Sequence, residues 1–192
     1  ANLIISPSDQ HIVNEENFRR NIAEGLQFVE TNDALLTMGI SPTRPESGYG
    51  YIQKGAYTGT GDIYKVQAFS EKPDRDFARM FMESKEWYWN TGLFLSNARH
   101  LQQSLSRILP SLLHTEERTE EMATIEAEDA FMQENFSLYP NMSLDYAVLE
   151  KSDNVYVMKC DFGWADLGTW HGLYEAMSRR EGDNVIINSD VI

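Results

Sequence analysis

The stretch ALLTMGI, from Ala34 to Ile40, decides the fold that this sequence predicts. It is almost continuously apolar and too short for a typical helix, which predicts a buried β-strand. The segment before it, residues 16–30, is predicted to be a helix because its apolar residues share one face at helical spacing, namely Phe18, Ile22, Leu26 and Val29. A helix that leads into a buried strand is typical of α/β domains.

Further strands and helices alternate along the rest of the chain. The turn-rich SPTRPESGYGY closes the buried strand, and three later runs are predicted strands: IYKVQAFSEKP at 63–73, NTGLFLSN at 90–97 and NVYVMKCDF at 154–162. Helices are predicted at 74–85, at 101–112 with a bend at Pro110, at 116–134, and from Trp170 onward. The acidic helix at 116–134 is expected to turn its apolar residues inward, and these are Met122, Ile125 and Met132.

This alternation predicts an α/β sheet with crossover helices. The 192 residues are 42% hydrophobic, which is enough for one domain with a sizeable core. Strand-like sequence lies at both ends, NLIIS at 2–6 and NVIINSDVI at 184–192. Because natural domains rarely begin or end inside strands, we expect a piece of a longer protein that lacks part of its sheet.

The charge and the cysteine content exclude several classes of function. The net charge of −14 and the isoelectric point near 4.6 argue against binding to nucleic acid, which needs a basic surface. Small phosphorylated ligands stay open, because a pocket needs only one or two cations. Cys160 is the only cysteine, so no disulfide can form within the chain, and a reducing cytoplasmic setting is favoured. No apolar run approaches the roughly 20 residues that span a bilayer.

Two acidic residues are the candidate metal ligands. Asp166, in DFGWADLGTW, follows a predicted strand and precedes a helix, at a place where Gly168 permits a tight turn. Asp9, in SPSDQ, follows the first strand, although taken alone an Asp there more often caps a helix or closes an Asx-turn. If the sheet brings the two carboxylates together, they form an oxygen site suited to Mg²⁺ and the phosphates of a substrate. Asp161 is a possible substitute ligand.

Two other clusters suit a sugar phosphate. Gly48 and Gly50 flank Tyr49 and permit positive φ angles and close approach of the backbone to a ligand, although a plain turn would use them equally. Glu71 and Lys72 would point to opposite faces if their strand extends that far. The carboxylate would then suit sugar hydroxyls and the ammonium a phosphate, with an exposed turn as the alternative.

The stretch WYWNTG adds a last candidate. Trp87 and Trp89 predict core packing, while the amide of Asn90 can both donate and accept hydrogen bonds to a hydroxylated ligand. Open α/β sheets place their sites at the carboxyl ends of strands. We expect four clusters to meet at such ends, and these are Asp9, Glu71 with Lys72, Asn90 and Asp166.

Six segments in sequence order resemble the sugar-nucleotide pyrophosphorylases, and in particular the bacterial mannose-1-phosphate guanylyltransferases, or GDP-mannose pyrophosphorylases. They are SPSDQ, GISPTRPESGYGYIQ, FSEKPD, WYWNTGLFL, SLDYAVLEKSDNVYV and DFGWADLGTW. They run from Ser6 to Trp170, which is nearly the whole chain. The resemblance implies a three-layer, Rossmann-like nucleotide-diphospho-sugar transferase fold, with residues 1–192 as a single partial domain that lacks its first strands.

The resemblance also implies a reaction. Members of the family join mannose 1-phosphate to GTP with the help of Mg²⁺ and release GDP-mannose and pyrophosphate. Asp9 and Asp166 would then be the Mg²⁺ ligands, and residues 48–50 would line the sugar. Glu71 and Asn90 would contact its hydroxyls, and Lys72 would hold its phosphate. Lys72 and Asp166 would be the catalytic residues.

No general base is required for this reaction, because the attacking phosphate is already ionised at neutral pH. The histidines are therefore interpreted as ordinary residues, and they are His11, His100, His114 and His171.

One family feature has no counterpart in these residues. The glycine-rich G-x-G-x-R loop that cradles the triphosphate is absent from the sequence, so we expect the nucleotide half of the site to be missing and the chain to be inactive alone. A non-catalytic or regulatory module that binds a sugar phosphate and ignores GTP is the alternative function. The sequence leaves undecided the nucleobase, a possible homodimer, and whether an isomerase domain follows.

Overall fold

The computed structural model describes residues 1–108, 124–146, 152–168, 170–178, 182 and 184. The strands within these residues are β1 (Asn2–Ile5), β2 (Gln10–Ile12), β3 (Leu35–Ile40), β4 (Tyr51–Tyr57), β5 (Ile63–Ser70), β6 (Trp87–Asn97), β7 (Val155–Cys160) and β8 (Trp164–Asp166). The helices are α1 (Glu15–Thr31), α2 (Arg75–Ser84), α3 (Ala98–Ile108), α4 (Ile125–Asn135) and α5 (Trp170–Met177). A 3₁₀ turn, Phe136–Leu138, follows α4.

A six-stranded sheet in the order β1-β6-β3-β7-β5-β4 forms the centre of the described chain. β3 and β7 are parallel, from Leu35 opposite Val155 to Ile40 opposite Cys160. The other neighbouring strands of this sheet are antiparallel, and β4 pairs in addition with the first residues of β6. The α/β class predicted from the sequence is confirmed, but the sheet is mixed rather than built only from parallel crossover units.

The main core lies between α1 and the sheet, as the sequence predicts. The N-cap Asn14 accepts a hydrogen bond from the Asn17 N–H at 3.0 Å and starts the helix. Val29 is fully buried, and Phe18 meets Phe162 edge-on with ring centroids 5.2 Å apart. β3 lies beneath this helix and is buried over nearly its whole length. The periodicity of α1 and the apolar run of β3 therefore reflect the two sides of one core.

The acidic helix differs from its prediction. Ile125 and Met132 are 76% and 42% exposed, and no residue of α4 is buried among those that the structure describes. Its acidic residues favour contact with water along most of the helix, and its few apolar side chains do not turn it inward. Met122 and the predicted bend at Pro110 lie outside the described residues, as does the strand-like end of the chain from residue 185.

None of the described helices is both long and apolar enough to cross a bilayer. α1, with 17 residues, is amphipathic and has polar residues along its exposed face.

β6 brings Asn90 to the edge of the sheet at which β3 and β7 end. The strand runs from Trp87 to Asn97, and Asn90 lies near its amino end, so the prediction that Asn90 lies at the carboxyl end of a strand is wrong. Because β6 runs antiparallel to β3, its first residues reach the carboxyl end of β3, with Asn90 opposite Gly39. The register between these strands shifts between Thr37 and Gly39.

Replacing Leu36 with Ala should lower the free energy of unfolding by roughly 2–5 kcal/mol, because this fully buried side chain faces Gly25 of α1. Leu3→Ala, on the edge strand β1, is the matched control and should cost clearly less, since its side chain is 36% exposed. Chemical denaturation of both variants measures the difference. Equal losses of unfolding free energy in Leu36→Ala and Leu3→Ala would contradict the central position of β3.

Candidate functional site

Asp9 and Asp166 lie beside each other, although they come from opposite ends of the chain. β2 and β8 form a two-stranded antiparallel sheet in which Gln10 is opposite Asp166. The Leu167 N–H donates to the Asp9 carbonyl at 2.9 Å and continues this pairing. The two carboxylates meet as expected, but a small second sheet carries them rather than the edge of the main sheet.

Gly168 is the residue around which the two carboxylates meet. A Cβ built on it would lie 2.9 Å from Asp9 Oδ2 and 3.0 Å from Asp166 Oδ1, so both oxygens face the same small space. The Gly168 N–H donates to Asp166 Oδ1 at 2.8 Å, which is a turn-forming contact. Glycine fits here because the carboxylates crowd it; its φ is not positive.

The carboxylates border a cavity of about 160 Å³ that collects most of the predicted site residues. Besides Asp9 and Asp166, its lining includes Gly48, Tyr49, Gly50, Glu71, Asn90 and Asp145. Four of these side chains are acidic, and among the described residues that line the cavity none is Lys, Arg or His. Such a lining favours a cation, or a ligand rich in hydroxyl donors.

A larger groove of about 760 Å³ lies between α1 and the β4–β5 hairpin. Glu24 and Lys65 are the charged residues of its described lining, and its other walls are aromatic, aliphatic or neutral polar. It holds neither a pair of facing carboxylates nor any of the predicted site residues. The smaller cavity is therefore the candidate site.

The loop Gly48–Gly50 lines the cavity, but not through positive φ angles. Neither glycine has one, so that part of the prediction is wrong. Tyr49 is 5% exposed and packs edge-on against Trp89 and Trp164, with ring centroids 5.3 and 5.0 Å away. A Cβ on Gly50 would lie 2.9 Å from Glu71 Oε2. Tyr49 anchors the loop in the core, and Gly50 makes room for Glu71.

Glu71 and Lys72 lie beyond the strand that was expected to separate them. β5 ends at Ser70, and Lys72 has a φ of 41°, so the prediction of opposite faces is wrong. Lys72 Nζ is 3.8 Å from Glu71 Oε1, and the lysine side chain is 64% exposed. Glu71 lines the cavity, whereas Lys72 lies beside it.

Within the described part of the chain, the amide of Asn90 has three protein partners. Its Nδ2 donates to Asp145 Oδ1 at 2.5 Å, while its Oδ1 accepts from Thr37 Oγ1 at 3.0 Å and from the Gly92 N–H at 3.2 Å. Asn90 therefore holds Asp145 at the cavity. The sequence reasoning missed Asp145, whose only signal was an acidic residue within the matched segment SLDYAVLEK.

Asp161 is not a substitute for Asp166. Its Oδ1 lies 3.4 Å from Arg20 Nη2, and it borders a separate cavity together with Lys159 and Cys160. Burial raises the pKa of the Cys160 thiol, which makes it a poor nucleophile.

Among the described residues, no three His, Cys, Asp or Glu side chains are arranged to hold a metal ion. A metal at Asp9 and Asp166 would take its other ligands from substrate or water.

The described histidines lie outside the cavity. His11 in β2 is opposite Ala165, and His100 in α3 is buried with its Nε2 3.4 Å from Ser104 Oγ. Burial lowers the pKa of His100. His114 and the side chain of His171 are outside the described part of the chain.

Comparisons with known proteins agree with this fold. The family model described as nucleotidyl transferase matches residues 2–182. The chain belongs to the nucleotidyl transferase family. It is similar to the mannose-1-phosphate guanylyltransferase of Escherichia coli, with 33% identity over 99% of this chain and 41% of that protein. The enzyme of the same name from Sinorhizobium fredii is 34% identical over 97% of this chain and 36% of that protein.

A solved structure of the family supports the Rossmann-like nucleotidyl transferase fold. It is a Thermus thermophilus protein described as mannose-1-phosphate geranyltransferase, with a TM-score of 0.81 and 31% identity over 97% of this chain and 52% of that chain. This chain thus spans 36% to 41% of the length of the two curated relatives.

Asn90→Asp should destabilise the protein by roughly 1–3 kcal/mol, because it removes the donor to Asp145 and places two carboxylates in contact. Adding Asp145→Asn restores a donor and an acceptor in reverse order and should recover part of the loss. A double-mutant cycle by chemical denaturation measures the coupling. Additive losses would show that Asn90 and Asp145 do not interact.

Proposed function

We propose that this chain is the sugar-phosphate and metal part of a mannose-1-phosphate guanylyltransferase, which converts mannose 1-phosphate and GTP to GDP-mannose and pyrophosphate. The observation that carries the proposal is the meeting of Asp9 and Asp166 at Gly168, beside a cavity lined by hydroxyl-binding groups. Similarity to enzymes of that name over nearly the whole chain supports it.

Mg²⁺ fits the carboxylate pair on chemical grounds. Two hard oxygens face one small space, and the described residues provide no third acidic or histidine ligand to complete a protein cage. Mg²⁺ typically binds one or two carboxylates together with substrate phosphates and water. When bound, it would offset negative charge on the phosphates of the nucleotide. Asp9 and Asp166 are the residues that would hold it.

Glu71 and Asp145 are the groups that we assign to the sugar hydroxyls. Carboxylates accept hydrogen bonds, and each hydroxyl of a sugar can donate one. Glu71 occupies the space that the missing side chain of Gly50 leaves, and the Asn90 amide holds Asp145. Asn90 therefore acts on the sugar through Asp145, while residues 48–50 provide the backbone wall.

Lys72 is the cation that we assign to the phosphate of mannose 1-phosphate. Its side chain is largely exposed beside the cavity, so a change of rotamer can move Nζ from Glu71 toward a bound phosphate. The attacking phosphate oxygen is ionised, so these residues position the substrate and need not remove a proton.

We expect the chain alone to bind the sugar phosphate without turning over GTP, because its sequence lacks the glycine-rich loop. We place the reaction in the cytoplasm, whose reducing conditions suit the free Cys160.

Asp166→Asn and Asp9→Asn, each made in the full-length protein, should lower kcat by about a hundredfold or more, because each removes a charged ligand. Asp161→Asn is the matched control, since this carboxylate pairs with Arg20 away from the cavity, and it should keep full turnover. Steady-state kinetics with GTP, mannose 1-phosphate and Mg²⁺ provide the measurement, with thermal unfolding as the check on the fold.

Unchanged turnover in both variants would leave Asp9 and Asp166 as turn-forming residues only. A full-length wild-type protein that binds mannose 1-phosphate but turns over no GTP would favour the non-catalytic module instead.

A further inference from the structure

A chain of polar contacts connects Arg44 to the backbone wall of the cavity. Arg44 Nε lies 3.2 Å from Glu46 Oε2, and the other oxygen of the same carboxylate, Oε1, accepts the Gly48 N–H at 2.9 Å. The Glu46 N–H in turn donates to the Arg44 carbonyl at 3.0 Å. Glu46 therefore joins a guanidinium group to the first residue of the loop Gly48–Gly50.

Aromatic rings hold the guanidinium group of Arg44 in place. Its Cζ lies 5.0 Å from the ring centroid of Trp89 and 5.9 Å from that of Tyr49. The side chains of Arg44 and Glu46 are each only 21% exposed, so water screens this ion pair less than an exposed one. A guanidinium has five N–H donors in a fixed planar array, so it can lie over a ring and bond a carboxylate with less loss of side-chain freedom than an ammonium.

Tyr51 fixes the backbone of Glu46. Its hydroxyl donates to the Glu46 carbonyl at 2.9 Å and accepts from the Glu46 N–H at 3.1 Å. At the far end of the loop, the Asn90 N–H donates to the Gly50 carbonyl at 2.8 Å. The loop is thus held at both ends, by Glu46 on one side and by β6 on the other.

We propose that Arg44 and Glu46 are positioning residues that set the affinity for the sugar 1-phosphate by holding the loop Gly48–Gly50 against the cavity. Neither side chain lines the cavity, so both act through the loop. The inference rests on the proposed function, because the loop contacts substrate only if a sugar phosphate fills this cavity.

Glu46→Ala in the full-length protein should raise KM for mannose 1-phosphate about tenfold or more, because Gly48 loses the hydrogen bond that positions the loop at the cavity. KM for GTP should stay within about twofold, since the loop faces the sugar side. Glu46→Gln keeps an acceptor for the Gly48 N–H, so its KM for mannose 1-phosphate should stay close to that of the wild type. Arg44→Lys keeps the charge but loses the planar guanidinium group over the rings of Trp89 and Tyr49. Its KM for mannose 1-phosphate should lie between those of Glu46→Gln and Glu46→Ala. Asp161→Ala is the control for loss of an ion pair elsewhere.

Amide hydrogen exchange without ligand provides a second readout, and residues 46–51 should exchange faster in Glu46→Ala than in wild type. An active wild type with unchanged KM and exchange in Glu46→Ala would overturn the positioning role. Equal rises in KM for both substrates, or the same rise in Asp161→Ala, would also overturn it by showing general damage. A wild type that turns over no sugar 1-phosphate would overturn the proposed function, and the inference with it.

Discussion

The pairing of β2 with β8 holds two carboxylates close together although their like charges repel each other. Backbone hydrogen bonds extend this pairing on both sides, from Leu167 N–H to the Asp9 carbonyl and from the Val13 N–H to the Gly163 carbonyl. Like charges at short distance are unfavourable unless a cation or a donor offsets them. The Gly168 N–H offsets part of this charge at Asp166. A divalent cation would offset more, which is why this pairing is the structural condition for the proposed chemistry.

One aromatic cluster links the pair Asp9 and Asp166 to the side of the cavity where Asn90 lies. Trp164, two residues before Asp166, packs against Tyr49, and Tyr49 packs against Trp89 next to Asn90. The three rings come from β8, from the loop Gly48–Gly50 and from β6, so these elements share one packed interior. Sites whose side chains rest on packed strands hold their geometry more precisely than sites on free loops. The residues that we propose as substrate and metal ligands are thereby held relative to each other.

Some of this arrangement could be predicted from the sequence. The spacing of apolar residues in α1 and the run in β3 depend only on which side of a local element is buried. The meeting of Asp9 and Asp166 followed from their places after predicted strands, together with the family resemblance.

The remaining contacts depend on tertiary approach. The partner of Asn90 is an Asp 55 residues later in the sequence, and no local pattern marks it. The end of β5 at Ser70 could not be predicted from the sequence, because the predicted strand continues into Glu71 and Lys72. The positive φ of Lys72 shows in the structure that the chain turns there. Ile125 fits a helical pattern, but its burial depends on whether another element covers it.

Calorimetric titration of this chain with mannose 1-phosphate, and separately with GTP and Mg²⁺, tests the central claim most directly. We predict saturable binding of mannose 1-phosphate at one site and no measurable binding of GTP. Absence of mannose 1-phosphate binding would contradict the assignment of the cavity. Tight, Mg²⁺-dependent binding of GTP would contradict the division of the site between this chain and the glycine-rich loop.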